Sequence, residues 1–215
     1  GHLPAHRVAR YLEVGEPFSI LMELSAAARE SRRTLLPLCG QAGPAAIAFS
    51  VTGRGLLTGT IGPEPAFEQG DIRNFDPLFQ RARLASGRRI AEHLGGLART
   101  LERTPAQVAI AWVLAQPGVA CALTGPRRLT HLMENLGGSG WRLPAEALAG
   151  MEALLAREDA ALADEEAATV DAILAGPLPA DPAAAFRDLI YAVETAVSLG
   201  RATEDAVRPT FFDLW

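Results

Sequence analysis

Residues 46–59 read Ala-Ile-Ala-Phe-Ser-Val-Thr-Gly-Arg-Gly-Leu-Leu-Thr-Gly. The first half is a short apolar run bounded by glycines, the pattern of a buried strand. The second half is a glycine-rich loop holding Ser50, Thr52, Arg54 and Thr58. Glycine reaches backbone conformations closed to other residues and lets a ligand come close. A strand that empties into such a loop can offer backbone N–H groups and a guanidinium to an anion. The same letters also describe a plain β-turn with a surface arginine. The surrounding chain decides between them.

On either side, strand-like and helix-like segments alternate. Phe18–Leu24 and Val119–Leu123 are further apolar strand candidates. Ser31–Cys39 reads as one short helix stopped by Gly40, and Leu3–Leu12 as another. Ala82–Glu102 carries Ile90, Leu94, Leu97, Ala98 and Leu101 at helical spacing. Thr104-Pro105 with Gln107 is a capping box with proline at the first helical position. Leu129–Leu136 is a helix stopped by Gly137-Gly138, and Pro144 starts one that ends near Arg157. Strand, helix, strand, helix points to parallel βαβ units. Residues 61–79 form a long excursion, the kind of segment that serves as a lid or binding loop.

The expected domains are residues 1–158, which hold this α/β part, and 159–215, a C-terminal helical extension. Residues 158–166 read as an acidic, alanine-rich linker or exposed helix, followed by a helix over 164–174. Asp181-Pro182 starts an amphipathic helix with Phe186, Leu189, Ile190, Val193 and Val197 on one stripe. The apolar end Phe211–Trp215 is expected to be tucked against something.

Composition narrows the function. The chain has 215 residues, 49% apolar and 21% charged, with a net charge of −5. That balance fits a globular protein and gives no attraction to nucleic acid or an anionic membrane. No apolar run reaches the length of a membrane span, and no signal peptide is visible. Cys39 and Cys121 sit in apolar sequence and read as reduced core residues of a cytoplasmic protein. The histidines His2, His6, His93 and His131 show no metal-ligand spacing, so no metal is expected.

Four stretches together resemble one family. The quoted loop resembles the Ser-Pro-Leu-Gly-Arg-Gly-Leu-Leu-Thr-Gly segment of aldo-keto reductases. Asp71-Ile72-Arg73 through Pro77-Leu78-Phe79 resembles their Asp-x-Arg…Pro-x-Phe segment. Thr104-Pro105-Ala106-Gln107 through Trp112 resembles their Thr-Pro-Ala-Gln…Trp helix, and Leu123–Arg128 with Glu134-Asn135 their final strand and adenosine-binding helix. The likeness covers roughly Phe18–Glu158. It implies a partial (βα)8 barrel built from the last three strands, with about five strands absent. It also implies an NADP site. Ser50, Val51, Thr52, Gly53, Arg54 and Leu56 match the loop beside the pyrophosphate, Arg73 a second basic contact, and Gly125, Arg127, His131, Glu134 and Asn135 the adenosine end.

Departures from the family pattern fall at the nicotinamide end. Val51-Thr52 replaces Pro-Leu. The family's Gln-x-Glu-Tyr-Ser reads Leu21-Met22-Glu23-Leu24-Ser25, which puts Leu24 where an aromatic stacks and Leu21 where a glutamine grips the carboxamide. Weak NADP binding is therefore expected. The family's catalytic tyrosine, lysine, aspartate and histidine belong to the absent strands. The chain contains no lysine, and its tyrosines, Tyr11 and Tyr191, stand in other contexts. No catalytic residue is assigned. Three readings follow: a binding or structural partner, or one subunit of an assembled barrel; an NADP-dependent oxidoreductase completed by another subunit or an N-terminal part; or the stable piece of a longer reductase. Three parallel strands would leave apolar residues bare on the inner face, with Ile20, Ile47, Phe49, Val119 and Leu123 as candidates. A homodimer or obligate heteromer is therefore expected, with the helix around Phe186–Val197 in the interface or over the open sheet.

Overall fold

The computed structural model describes residues 5–177 and 179–201, without the side chains of 40–42. The start of the expected first helix, the terminal Phe211–Trp215 segment and His2 lie outside the described residues. The chain divides into two compact units, Gly1–Gly62 with Gly87–Leu155, and Pro63–Ser86 with Ala156–Trp215.

The first unit is built on three parallel strands, β1 (Ser19–Glu23), β2 (Ala45–Phe49) and β3 (Val119–Ala122), in the order β1-β2-β3. Ser19 pairs with Ala45 and Glu23 with Phe49, while an irregularity at Ala46/Ile47 shifts the register toward β3. Alternation then sorts the side chains. Met22, Leu24, Ala46 and Ala48 are buried on one face, under a helix layer. The other face carries Leu21, Glu23, Ile47 and Phe49, continued on β3 by exposed Cys121 and Leu123.

This register corrects part of the expected inner face. Ile20 pairs with Ala46, and both Ile20 and Val119 pack against the core, so they leave the set while Leu21 and Cys121 join it. Cys39 is buried as expected, but Cys121 is not a core residue.

The helix layer of the first unit includes α1 (Ala5–Val14), α2 (Glu30–Thr34) and α3 (Leu36–Ala42). The single helix expected over 31–39 is thus two. Pro37 explains the break: with no N–H it cannot donate back to the preceding turn, and it suits the first turn of a new helix. The stop is Gly43, at φ 85, rather than Gly40. Next come α4 (Arg81–Thr100) and α5 (Pro105–Leu114).

The Thr104 hydroxyl of the α5 capping box accepts from the Gln107 amide at 3.3 Å, and the Gln107 side chain accepts from the Thr104 amide at 3.1 Å. Seven of the ten α5 residues are buried. Trp112 is fully buried and donates its Nε1–H to Glu152 Oε1 at 3.1 Å. Glu152 also pairs with Arg32 at 2.6 Å, and the Arg32 guanidinium lies 5.6 Å from the Trp112 ring centre.

After β3 comes α6 (Leu129–Leu136). Gly137 and Gly138 do more than stop it. A Cβ on Gly138 would lie 2.7 Å from Ile110 Cβ, so the pair lets this turn press on α5. The next helix, α7 (Ala145–Ala175), runs past the expected end near Arg157 and through residues 158–166, so that of the two readings of that stretch, linker or helix, it is helix. Between Gly150 and Gly176 the sequence offers no glycine or proline, and its alanine-rich composition favours helix throughout.

In the second unit, α8 (Pro182–Ser198) begins at Asp181, whose carboxylate accepts from the Ala184 amide at 2.9 Å. The excursion contains two 3-10 turns, Ile72–Asn74 and Pro77–Phe79, capped by Asp71 and Asp76. Phe75 meets Phe186 edge-on at 5.6 Å. The buried face of α8 includes Ile190, Tyr191 and Thr195, rotated from the expected stripe. Tyr191 lies under Arg81 and Arg83, and Arg83 pairs with buried Glu166.

Candidate cofactor-phosphate site

Because the strands are parallel, the segments that follow β1, β2 and β3 emerge at one end of the sheet. These are Leu24–Arg29, Ser50–Gly59 and Leu123–Arg128. Ser50, Val51, Thr52, Gly53, Arg54, Leu56, Gly125 and Arg127 therefore share that end. His131, Glu134 and Asn135 follow on α6, with His131 exposed and the other two half-buried. Arg73 lies in the second unit, where its guanidinium pairs with Asp71 at 2.6 Å and covers Phe67 at 4.2 Å. Its hydrogen bond to Asp71 raises its pKa, so it stays charged.

The β2 loop is built for an unusual path. Ser50 (φ 54), Gly53 (φ 59), Arg54 (φ 53) and Gly55 (φ 93) all take left-handed conformations. The Gly53 amide donates to Ser50 O at 2.7 Å, and the Leu57 amide to Thr52 O at 3.1 Å. The amides of Val51, Thr52 and Gly55 donate no hydrogen bond among the described residues. Unspent amides in a left-handed turn suit a phosphate oxygen. Leu56 and Leu57 are fully buried and pin the loop from below. Leu56 sits so close to α4 that a Cβ on Gly87 would fall 2.4 Å from its Cδ2.

Arg54 is not bare. Its Nη1 lies 2.7 Å from Glu23 Oε1, and its Nη2 donates to Glu23 Oε2 at 3.2 Å. After β1, the Ser25 hydroxyl is occupied by the Ala27 and Ala28 amides. After β3, Arg127 and Arg128 are exposed and form no ion pair among the described residues. They supply the uncompensated positive charge at this end.

The alternation also bears on the position where the family carries a stacking aromatic. Leu24 is fully buried on the helix side, so it cannot stack against a ligand on the open face. Phe49, half-buried on the open face and next to Ser50, is the aromatic there. Counting outward from Ser50 by twos gives Ala48 and Ala46 on the core face and leaves Phe49 opposite, so strand parity was the available signal. Leu21 is also on the open face, and its aliphatic side chain offers an amide nothing to bond. An apolar groove of about 480 Å³ lies beside the start of β1, lined by Val8, Tyr11, Val14, Pro17 and Leu35, away from the loop. Among the described residues no group of His, Cys, Asp and Glu is placed to hold a metal, and no helix is long and apolar enough to cross a membrane.

Comparison with known proteins agrees with this geometry. The model of the aldo/keto reductase family matches residues 7–156. The chain is 34% identical over 119 residues to aldo-keto reductase YhdN of Bacillus subtilis, covering 55% of this chain and 36% of that protein. It is 31% identical over 120 residues to aldo-keto reductase str7 of Strobilurus tenacellus, covering 56% and 36%. It thus spans about a third of the length of these relatives. Among solved structures, the glycerol dehydrogenase AKR11B4 of Gluconobacter oxydans superposes with a TM-score of 0.65 at 26% identity, over 73% of this chain and 47% of that one. Aldo-keto reductase AKR11C1 of Bacillus halodurans shares the fold, with a TM-score of 0.55 at 20% identity over 71% and 47%. The chain belongs to the aldo-keto reductase family.

Proposed function

We propose that this chain supplies the cofactor-phosphate side of an NADP-dependent oxidoreductase, and that other βα units complete its barrel and bring the catalytic acid. The single observation that carries the reading is the sheet itself: three parallel strands, both outer edges unpaired among the described residues, one face open and apolar, with the β2 loop at its C-terminal end. The loop amides and Arg127 would hold phosphates. Phe49 offers a flat apolar surface beside them. A nicotinamide cofactor supplies hydride chemistry when bound. The residues of this chain would bind and orient it, and the acid that protonates a carbonyl would come from the other units.

α6 supports the need for further units. Leu129, Leu132, Met133 and Leu136 lie at helical spacing along one stripe, and none is buried. That stripe follows directly from the edge strand β3, where another βα unit of the same hand would pack.

Steady-state assay with NADPH and 4-nitrobenzaldehyde tests the reading. The chain alone should show no turnover. Calorimetry should find weak binding, with NADPH and 2′-phospho-ADP-ribose alike, because Leu21 cannot grip the carboxamide. Turnover that Arg127→Ala abolishes, or a gain of more than about tenfold from the nicotinamide end, would contradict it.

A further inference from the structure

The family resemblance casts Arg54 as a phosphate contact, but its surroundings assign it other work. Arg54 follows Gly53 and precedes Gly55, all three in left-handed backbone. A non-glycine residue is held there only by surrounding structure. Glu23, the last residue of β1, provides the hold: its two oxygens meet the two terminal nitrogens of the guanidinium, at 2.7 and 3.2 Å. Both side chains are mostly shielded, at 25% and 17% exposure. The Nη2–Oε2 contact is a hydrogen bond, while Oε1 adds a close ion pair without hydrogen-bond geometry, so charge and one hydrogen bond together hold the guanidinium. Glu23 also faces Phe49 across the strand pair, so the clasp stands at the mouth of the open face.

We propose that Glu23 is a positioning residue that clasps Arg54 to hold the Ser50–Gly59 loop in its left-handed path, and that Arg54 is therefore a strut and not a phosphate ligand. This rests on reading the loop as a phosphate cradle. A carboxylate fixed on the guanidinium cancels its charge and repels a second anion at the same edge. Phosphate recognition then falls to the Val51, Thr52 and Gly55 amides and to Arg127 and Arg128. The loop recognises a phosphate by shape, and salt-sensitive attraction comes from the β3 end.

The test uses the full chain and three variants: Glu23→Gln, Arg54→Gln, and the swap Glu23→Arg/Arg54→Glu. Hydrogen exchange reads the loop without any ligand. Each single variant should raise exchange over residues 50–59 by about tenfold or more, leaving α5 unchanged, and the swap should return it to within about threefold of wild type. Single variants that leave exchange unaltered, or a swap as open as the singles, would overturn the clasp. NADPH binding at low and high salt reads the charge. The swap should keep wild-type affinity, and Glu23→Gln should make binding more salt-dependent by freeing Arg54. A swap that restores the loop yet loses NADPH would overturn the strut and make Arg54 a ligand. Should wild type bind no NADPH, the cradle reading fails, while the clasp is still decided by exchange.

Discussion

Cys39 lies on α3 in the core, and Cys121 lies on β3 at the open face of the sheet. Cys121 is exposed on the open face; Cys39 is buried, and burial raises its pKa. Less thiolate and less access both slow a thiol. Titration of the native chain with a disulfide reagent at neutral pH, at a protein concentration low enough to free the open face of any partner, should show one fast thiol, lost in Cys121→Ser, and a second only in denaturant. Two equally fast thiols would contradict the register. Sign matters for stability too: a thiol whose folded pKa is raised stabilises below its unfolded pKa, so that contribution fades as pH climbs past about 9.

The glycines of α4 make a second test at this scale. Gly95 has only the Arg99 guanidinium near it, so Gly95→Ala should stabilise by about 0.5–1 kcal/mol in chemical denaturation. Gly87 abuts fully buried Leu56, so Gly87→Ala should destabilise by about 1–3 kcal/mol. Equal effects would contradict the packing. The two glycines are alike as letters in a helix, and the difference is a neighbour 31 positions away from Gly87. The same limit hid the Glu23–Arg54 contact, whereas the loop itself was legible in its glycines.

Elements whose signals are local were legible. The Thr104 capping box, the Asp181 cap and the periodic face of α4 all stand where periodicity and capping put them. Thr104→Ala should cost about 1 kcal/mol in urea melts, and a variant as stable as wild type would show that the box adds nothing to α5. Boundaries that depend on a competition were less legible. Pro37 divides α2 from α3, and alanine overrides acidic charge along α7. The buried face of α8 turned toward Tyr191 because its ring packs beneath Arg81 and Arg83. A stripe of aliphatics alone did not contain that information.

At the scale of the molecule, the account turns on an unfinished sheet. Leu21, Ile47, Phe49 and Leu123 on its open face, and the bare stripe of α6, are apolar surface a stable particle does not leave in water. Each large side chain buried there would contribute about 1.5–3 kcal/mol. Multi-angle light scattering at micromolar concentration tests this most directly. The account predicts a mass above 22.8 kDa, from a second copy or a co-purifying chain, that falls when Leu132→Glu and Met133→Glu are combined. A monodisperse 22.8 kDa particle with a cooperative melt would contradict it.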